Sequence, residues 1–146
     1  MDNKKTLVLG GSPKPERFSN KAIIKLRSFN HEVISIGQKQ AMVGDVVIET
    51  SMINFDNIHT ITIYLGPNNQ VEYYDYLLGL GASRIIFNPG TENKELSDMA
   101  KNKQIEVVYC KTEEMHADIF TKPLSKIKFE KDDLDILDKY NKNLMN

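Results

Sequence analysis

The residues best placed for chemistry are small and basic, with no obvious nucleophile among them. Gly10-Gly11-Ser12 ends an apolar run, Thr6-Leu7-Val8-Leu9, and is followed closely by Lys14, Arg17, Phe18 and Ser19. Backbone N–H groups in such a turn, beside the partial positive charge at the start of a helix, suit a phosphate, and Lys14 and Arg17 add full charges. Small or turn-forming residues also follow later apolar runs, at Gly37-Gln38-Lys39, at Gly66-Pro67 and at Asn88-Pro89-Gly90. Turns of this kind let the backbone approach a bulky ligand, although glycines that only make a tight turn read the same way. Two common nucleotide motifs are absent, the dinucleotide fingerprint G-x-G-x-x-G and the phosphate loop G-x-x-x-x-G-K-[ST]. The second strand ends without the acidic residue that grips an adenosine ribose in a typical NAD site, which disfavours NAD.

The remaining reactive side chains are isolated. Cys110 follows an apolar strand, where a lone thiol is ordinarily a packed side chain. His31 and His59 each stand just before an expected strand, at the edge opposite the crevice, and His116 lies in the tail; none has ligand spacing to another histidine or to the cysteine. Tyr73, Tyr74 and Tyr76 have the spacing of a mixed core and surface set on a helix. No catalytic residue and no metal ligand is expected.

The positioning elements follow from periodicity. Thr6–Leu9 reads as a strand buried on both faces. Ser19 is expected to cap a helix that turns Ala22, Ile23, Leu26 and Phe29 inward and leaves Lys21, Lys25 and Arg27 for solvent. Glu32–Ile36 completes a right-handed β-α-β unit with parallel strands. Asp45–Ile48 reads as a short edge strand, and Asn54–Ile58 as a turn or a single helical turn. Thr60–Leu65 is the next strand, stopped by Gly66-Pro67. A helix from about Asn68 should face Val71, Tyr74, Leu77 and Leu78 inward. Arg84–Phe87 is another strand, then a helix with Leu96, Met99 and Ala100 inside, then Ile105–Val108. Alternation of this kind implies an α/β, Rossmann-like, doubly wound and mostly parallel sheet of five or six strands flanked by helices. Ligands of such sheets sit outside the carboxyl ends of the strands, where strand order reverses.

Composition bounds the function classes. With 146 residues, 40% of them hydrophobic and 27% charged, one domain with a single core is expected. Nineteen basic against twenty acidic residues give no field of the kind that attracts nucleic acid. One cysteine, no signal-peptide core and no apolar run of membrane-spanning length point to the cytoplasm. From Lys111 onward the texture changes to charges of both signs around scattered apolar residues. There Leu134, Leu137, Tyr140 and Leu144 have the spacing of an amphipathic helix behind Asp132 and Asp133. Lys126, Lys128 and Lys131 are interleaved with Glu130, Asp132 and Asp133, as on a solvated face.

Leu7–Ser12 followed by Arg17–Ala22 resembles the opening of the small bacterial CoA-binding proteins related to the nucleotide-binding domain of succinyl-CoA synthetase. Tyr64-Leu65-Gly66-Pro67 with Glu72-Tyr73-Tyr74, and above all Phe87-Asn88-Pro89-Gly90-Thr91-Glu92-Asn93, are similar to later strand ends in that family. The resemblance spans Lys4 to Val108. It implies coenzyme A or an acyl-CoA across the carboxyl edge of the sheet, with phosphate at Gly10, Gly11 and Ser12, and Phe18 and Ser19 beside the ligand. Gly37, Gln38 and Lys39 would border the nucleotide end, and Pro67 with Asn88, Pro89 and Gly90 would line the rest. Lys14 and Arg17 complete the expected site. The chain departs from the family pattern at Gly11, where alanine is usual, at Gly66, where asparagine often stands, and after Val108, where a short apolar stretch is missing. The tail from Thr112 to Leu124 resembles the end of the ribonuclease H-like domain of copia-type retroelement polyproteins. There Asp118 matches one metal-binding carboxylate, and one carboxylate does not make a two-metal site.

The expected organisation is a CoA-binding unit over residues 1–110 and a divergent tail over 111–146. The leading expectation is non-catalytic binding of coenzyme A or an acyl-CoA, with no nucleic-acid or membrane partner. The alternatives are an NAD(P)- or acyl-CoA-dependent enzyme using the same crevice, and an interaction module with a degenerate pocket whose C-terminal helix docks a protein.

Overall fold

The computed structural model of the chain describes residues 3–111. Its elements, in chain order, are β1 (Thr6–Gly11), α1 (Phe18–Ser28), β2 (Val33–Gly37), β3 (Ala41–Val43), β4 (Val46–Glu49), β5 (Thr60–Ile63) and α2 (Pro67–Gln70). A 3-10 turn over Val71–Tyr73 then leads to α3 (Tyr74–Gly79), β6 (Arg84–Phe87), α4 (Lys94–Asn102) and β7 (Glu106–Tyr109). The strands form one sheet in the order β3-β4-β2-β1-β5-β6-β7, parallel throughout except where β3 pairs antiparallel with β4. This is the doubly wound α/β architecture expected from the alternation of strands and helices.

Because side chains alternate across a strand, β1 feeds two layers. Leu7 and Leu9 join Ile61, Ile63, Ile85 and Phe87 beneath Tyr74, Leu77, Leu96 and Ala100 of α3 and α4. Val8 faces the other way, with Ile23 and Leu26 of α1 and with Val43, Val46 and Ile48 of the hairpin. Fully burying a Leu or Ile side chain is favourable by roughly 1.5–3 kcal/mol, and these residues are 0–8% exposed. The apolar run at Thr6–Leu9 is therefore what fixes β1 at the centre.

The sheet has seven strands, more than the five or six expected, because Ala41–Val43 adds an outer strand. Val43-Gly44-Asp45-Val46 makes a two-residue hairpin turn in which Gly44 adopts φ +58. The Val46–Glu49 strand is thus flanked on both sides, by β3 and β2, and is not the edge. Arg27 ties this hairpin to α1, donating to both carboxylate oxygens of Asp45 at 3.0 and 2.8 Å and to the carbonyl of His31 at 2.8 Å.

One capping and two inward assignments differ from expectation. Arg17, not Ser19, occupies the N-cap of α1, and no side chain caps that end; Ser19 is buried inside the first turn. Val71 is 58% exposed because the 3-10 turn shifts the helical phase there, and Met99 lies at the outer margin of the α4 stripe at 37%. The amphipathic stretch and the copia-like segment expected in the tail lie outside the described residues.

Candidate functional site

The strand order reverses between β1 and β5. The chain winds from β1 outward through β2 to the β3–β4 hairpin, then returns to the other side of β1. A cleft of about 540 Å³ opens at the carboxyl ends of these two strands, within the size range of ligand clefts. Its floor is Gly10–Ser12 from the end of β1 and Tyr64-Leu65 from the end of β5. Its walls are Pro13, Lys14 and Arg17–Ser19 on one side, Gln38-Lys39 on another and Pro89 with Thr91 on the third.

The floor depends on a kink in β1. The pairing with β2 slips between Leu9 and Gly11, and the extra residue, Gly10, takes φ +96. A side chain there would be strained and would meet the Tyr64 backbone at 3.1 Å. Gly11 answers a different constraint. A β-carbon at Gly11 would overlap the hydroxyl of buried Ser35 on β2, which donates to the carbonyl of Val8 at 2.9 Å. Glycine at this position thus has a packing cause, since the Ser35 hydroxyl fills the space a methyl group would need. Gly37 is likewise a packing glycine, pressed against the carbonyl oxygen of Gly11.

Beyond the kink the loop is held by polar contacts that leave the start of α1 open. The Asn20 amide donates to the carbonyl of Ser12 at 3.0 Å, and the Ser12 hydroxyl accepts from the Lys14 N–H at 3.2 Å. A turn bond from the Arg17 N–H to the Lys14 carbonyl then sets the helix entry. The first intrahelical donor is Lys21, bonded to the Arg17 carbonyl. The amides ahead of it carry the partial positive charge of the helix, with no acidic residue in that first turn. Lys14, Arg17 and Lys39 bring three positive charges to the cleft, and its lining contains no carboxylate, histidine or cysteine. Tyr64 is its one phenol; burial pushes the hydroxyl pKa upward against a hydrogen bond with Thr62, so the group stays protonated at neutral pH.

The third wall is fixed by buried amides. Asn88 donates to the Thr62 hydroxyl at 2.8 Å and the Ile63 carbonyl at 2.9 Å, joining the end of β6 to β5. Gln70 donates to the carbonyls of Leu65 and Thr91, both at 2.8 Å. Asn93 donates to Gln70 at 2.9 Å and to the Tyr74 hydroxyl at 2.8 Å, while its own oxygen caps α4 by accepting from the Leu96 N–H. Glu92 is 5% exposed and folds its carboxylate back onto the loop, accepting from the Gly90 N–H at 2.6 Å. Burial raises its pKa, and the backbone donors of the turn partly offset that. These residues shape the wall; their polar groups are spent on one another.

Of the residues expected from sequence, Gly10, Gly11, Ser12, Lys14, Arg17, Phe18, Ser19, Gln38, Lys39 and Pro89 line the cleft together. Gly37, Pro67, Asn88 and Gly90 do not: Gly37 packs against the Gly11 carbonyl, Asn88 is buried, and Pro67 starts α2. Pro13, Tyr64, Leu65 and Thr91 complete the lining. Tyr64 and Leu65 could have been found from their place, directly after the strand at which the order reverses. His31 and His59 lie at the amino edge of the sheet, where His31 accepts from the Lys4 N–H at 3.0 Å and His59 contacts the Thr60 hydroxyl. Among the described residues no group of three or more His, Cys, Asp or Glu side chains is arranged to hold a metal ion, and no helix is long and apolar enough to cross a membrane.

The sequence pattern of the CoA binding domain family matches residues 4–112. Among solved structures, a protein described as uncharacterized is 37% identical, with a TM-score of 0.76 over 81% of this chain and 98% of its own. A hypothetical protein from Pyrococcus horikoshii OT3 is 27% identical, with a TM-score of 0.67 over 73% of this chain and 76% of that one. A Thermus thermophilus protein, 17% identical, shares the fold, with a TM-score of 0.67 over 73% of this chain and 82% of that one. No curated protein matches the chain.

Proposed function

The chain belongs to the CoA binding domain family, and from that premise we propose that it holds coenzyme A or an acyl-CoA, chemically unchanged, in the cleft between the ends of β1 and β5. One observation carries this reading: a cleft at the reversal point that presents three cations and a helix start, and no carboxylate, to whatever enters it. The diphosphate lies against Gly10–Ser12 and the amides of Phe18 and Ser19, with Lys14 and Arg17 as counter-charges. Gln38 and Lys39 follow β2, where an NAD site would place an acid. A lysine there suits the ribose 3′-phosphate that coenzyme A carries and NAD lacks. Pro89, Thr91 and Leu65 border the pantetheine arm. No carboxylate, histidine or cysteine stands in the lining to act as general base or to activate its hydroxyls, and this supports binding over turnover. The binding unit is residues 1–110, and 111–146 is a divergent extension of it.

Calorimetric titration with coenzyme A, dephospho-coenzyme A and NAD tests this reading in the intact chain and in Lys39→Glu. Coenzyme A should bind tightest to the wild type. Lys39→Glu should weaken coenzyme A by roughly tenfold or more, about 1.4 kcal/mol, and leave dephospho-coenzyme A within about threefold of wild type. A folded wild type that ignores coenzyme A, or prefers NAD, overturns the proposal.

A further inference from the structure

Two segments that touch each other carry apolar side chains left outside the core. Residues 50–59 cross from β4 to β5 without a helix. Phe55 and Ile58 of this crossover turn into the core, whereas Met52 and Ile53 are exposed. On the second segment, which follows β5, the 3-10 turn leaves Val71 exposed. The segments meet where the Tyr76 hydroxyl donates to the Ile53 carbonyl at 2.6 Å. Tyr73 and Tyr76 are partly buried against the core beneath. Burial raises the pKa of both phenols, and for Tyr76 the neighbouring Tyr73 adds to the rise, so neither carries charge at neutral pH.

Single exposed apolar side chains are ordinary, but a group of them beside a ligand cleft marks a contact surface, and this group adjoins the cleft. Leu65 lines the cleft and packs against the same core cluster as Phe55, Tyr73 and Tyr76. Gln70, which donates to the Leu65 and Thr91 carbonyls at the third wall, directly precedes Val71. From Gln70 to Tyr76 the helical backbone advances roughly 10 Å. Neither segment carries a lysine or an arginine, so the strip does not extend the phosphate-binding chemistry of the cleft. It offers contact to uncharged, apolar matter, and Asp56, Glu72 and Asp75 beside it would repel a free anion. We infer that this strip takes the acyl chain of an acyl-CoA, so that the cleft selects acyl-CoA over free coenzyme A. The inference rests on the cleft holding coenzyme A as proposed above. The thioester leaves the cleft past Leu65 and Thr91, and the chain lies along Val71, Tyr73 and Ile53. Met52, with its flexible thioether, adapts to chains of different length.

Calorimetric titration of the intact chain with coenzyme A, acetyl-CoA and decanoyl-CoA, the last below its micelle concentration, tests the inference. Decanoyl-CoA should bind at least about tenfold tighter than coenzyme A, the equivalent of about two buried methylene groups, and acetyl-CoA should bind close to coenzyme A. An Ile53→Asp, Val71→Asp double variant should lose that gain and bind coenzyme A within about twofold of wild type; both side chains are exposed, so the fold survives the change. Met99→Asp, at an exposed apolar position on α4 outside the strip, should keep the gain. Equal affinity for coenzyme A and decanoyl-CoA, or a gain that persists in the double variant, would overturn the inference and leave the coenzyme A site standing. A dimer that the double variant disperses, with no gain from the acyl chain, would also overturn it and make a second copy of the chain the occupant of the strip. A folded wild type that binds none of the three overturns both readings.

Discussion

Replacing Gly11 by alanine should destabilise this chain, and the reason lies on the neighbouring strand. The new methyl group would occupy the position of the Ser35 hydroxyl and stand 3.3 Å from the Ser35 β-carbon. The hydroxyl must rotate away, giving up its 2.9 Å bond to the Val8 carbonyl in a site with no exposure to water. Stranding a buried hydroxyl costs about 1–3 kcal/mol. The smaller entropy of an alanine-containing unfolded chain returns about 0.4–1 kcal/mol. The net expectation for Gly11→Ala is a loss of roughly 1–2 kcal/mol, read as a lower urea midpoint at unchanged slope. Ser35→Ala alone should cost about 0.5–1.5 kcal/mol for its single hydrogen bond. In the double variant the methyl group enters the vacated space, so the two changes should couple favourably by at least about 1 kcal/mol. Simple addition of the two single losses would show that Ser35 does not set the identity of residue 11.

Two further outcomes follow from the loops and the amino edge. Asn93→Ala removes the cap of α4 together with two buried donations, to Gln70 and Tyr74, and should cost about 2–4 kcal/mol; a denaturation midpoint within error of wild type would dissolve the proposed bracing of the third wall. His31 is buried and accepts from the Lys4 N–H, and its pKa is lowered by burial and then by Lys4 and Arg84. The folded state therefore resists a proton that the unfolded chain accepts, so the contribution is whole above pH 6.5 and drains as pH falls below it toward the depressed folded value. His31→Gln should flatten the fall in urea midpoint between pH 7.5 and 5.5 relative to wild type, and an unchanged slope would assign that fall to other groups such as His59.

The strands were legible where their signal was local. Thr6–Leu9, Arg84–Phe87 and the parallel β-α-β pattern depend on uninterrupted apolar runs between turn residues, and each occupies its expected place. β3 was not legible, because Ala41-Met42-Val43 is too short to show a period and only Gly44-Asp45 marks the hairpin. The inward face after Pro67 was lost for another reason: a 3-10 turn interrupts the helix there, and no residue type announces that change of phase.

The site divides along the same line. The residues that line the cleft were found by position, since a strand end at a reversal point faces outward whatever its neighbours do. Of the four residues that were expected in the cleft and lie elsewhere, two are committed to partners far away in sequence. Gly37 meets the carbonyl of Gly11, and Asn88 meets Thr62 and Ile63. A glycine or asparagine in a turn satisfies two opposite demands equally well, approach to a ligand and close packing of backbone, and composition cannot separate them. Cations do separate them. Burying Lys14, Arg17 or Lys39 in packing would require a paired carboxylate, and the cleft lining holds none. The three charges are therefore the part of the site that packing does not explain, which is why Lys39 is the residue on which the binding proposal is tested.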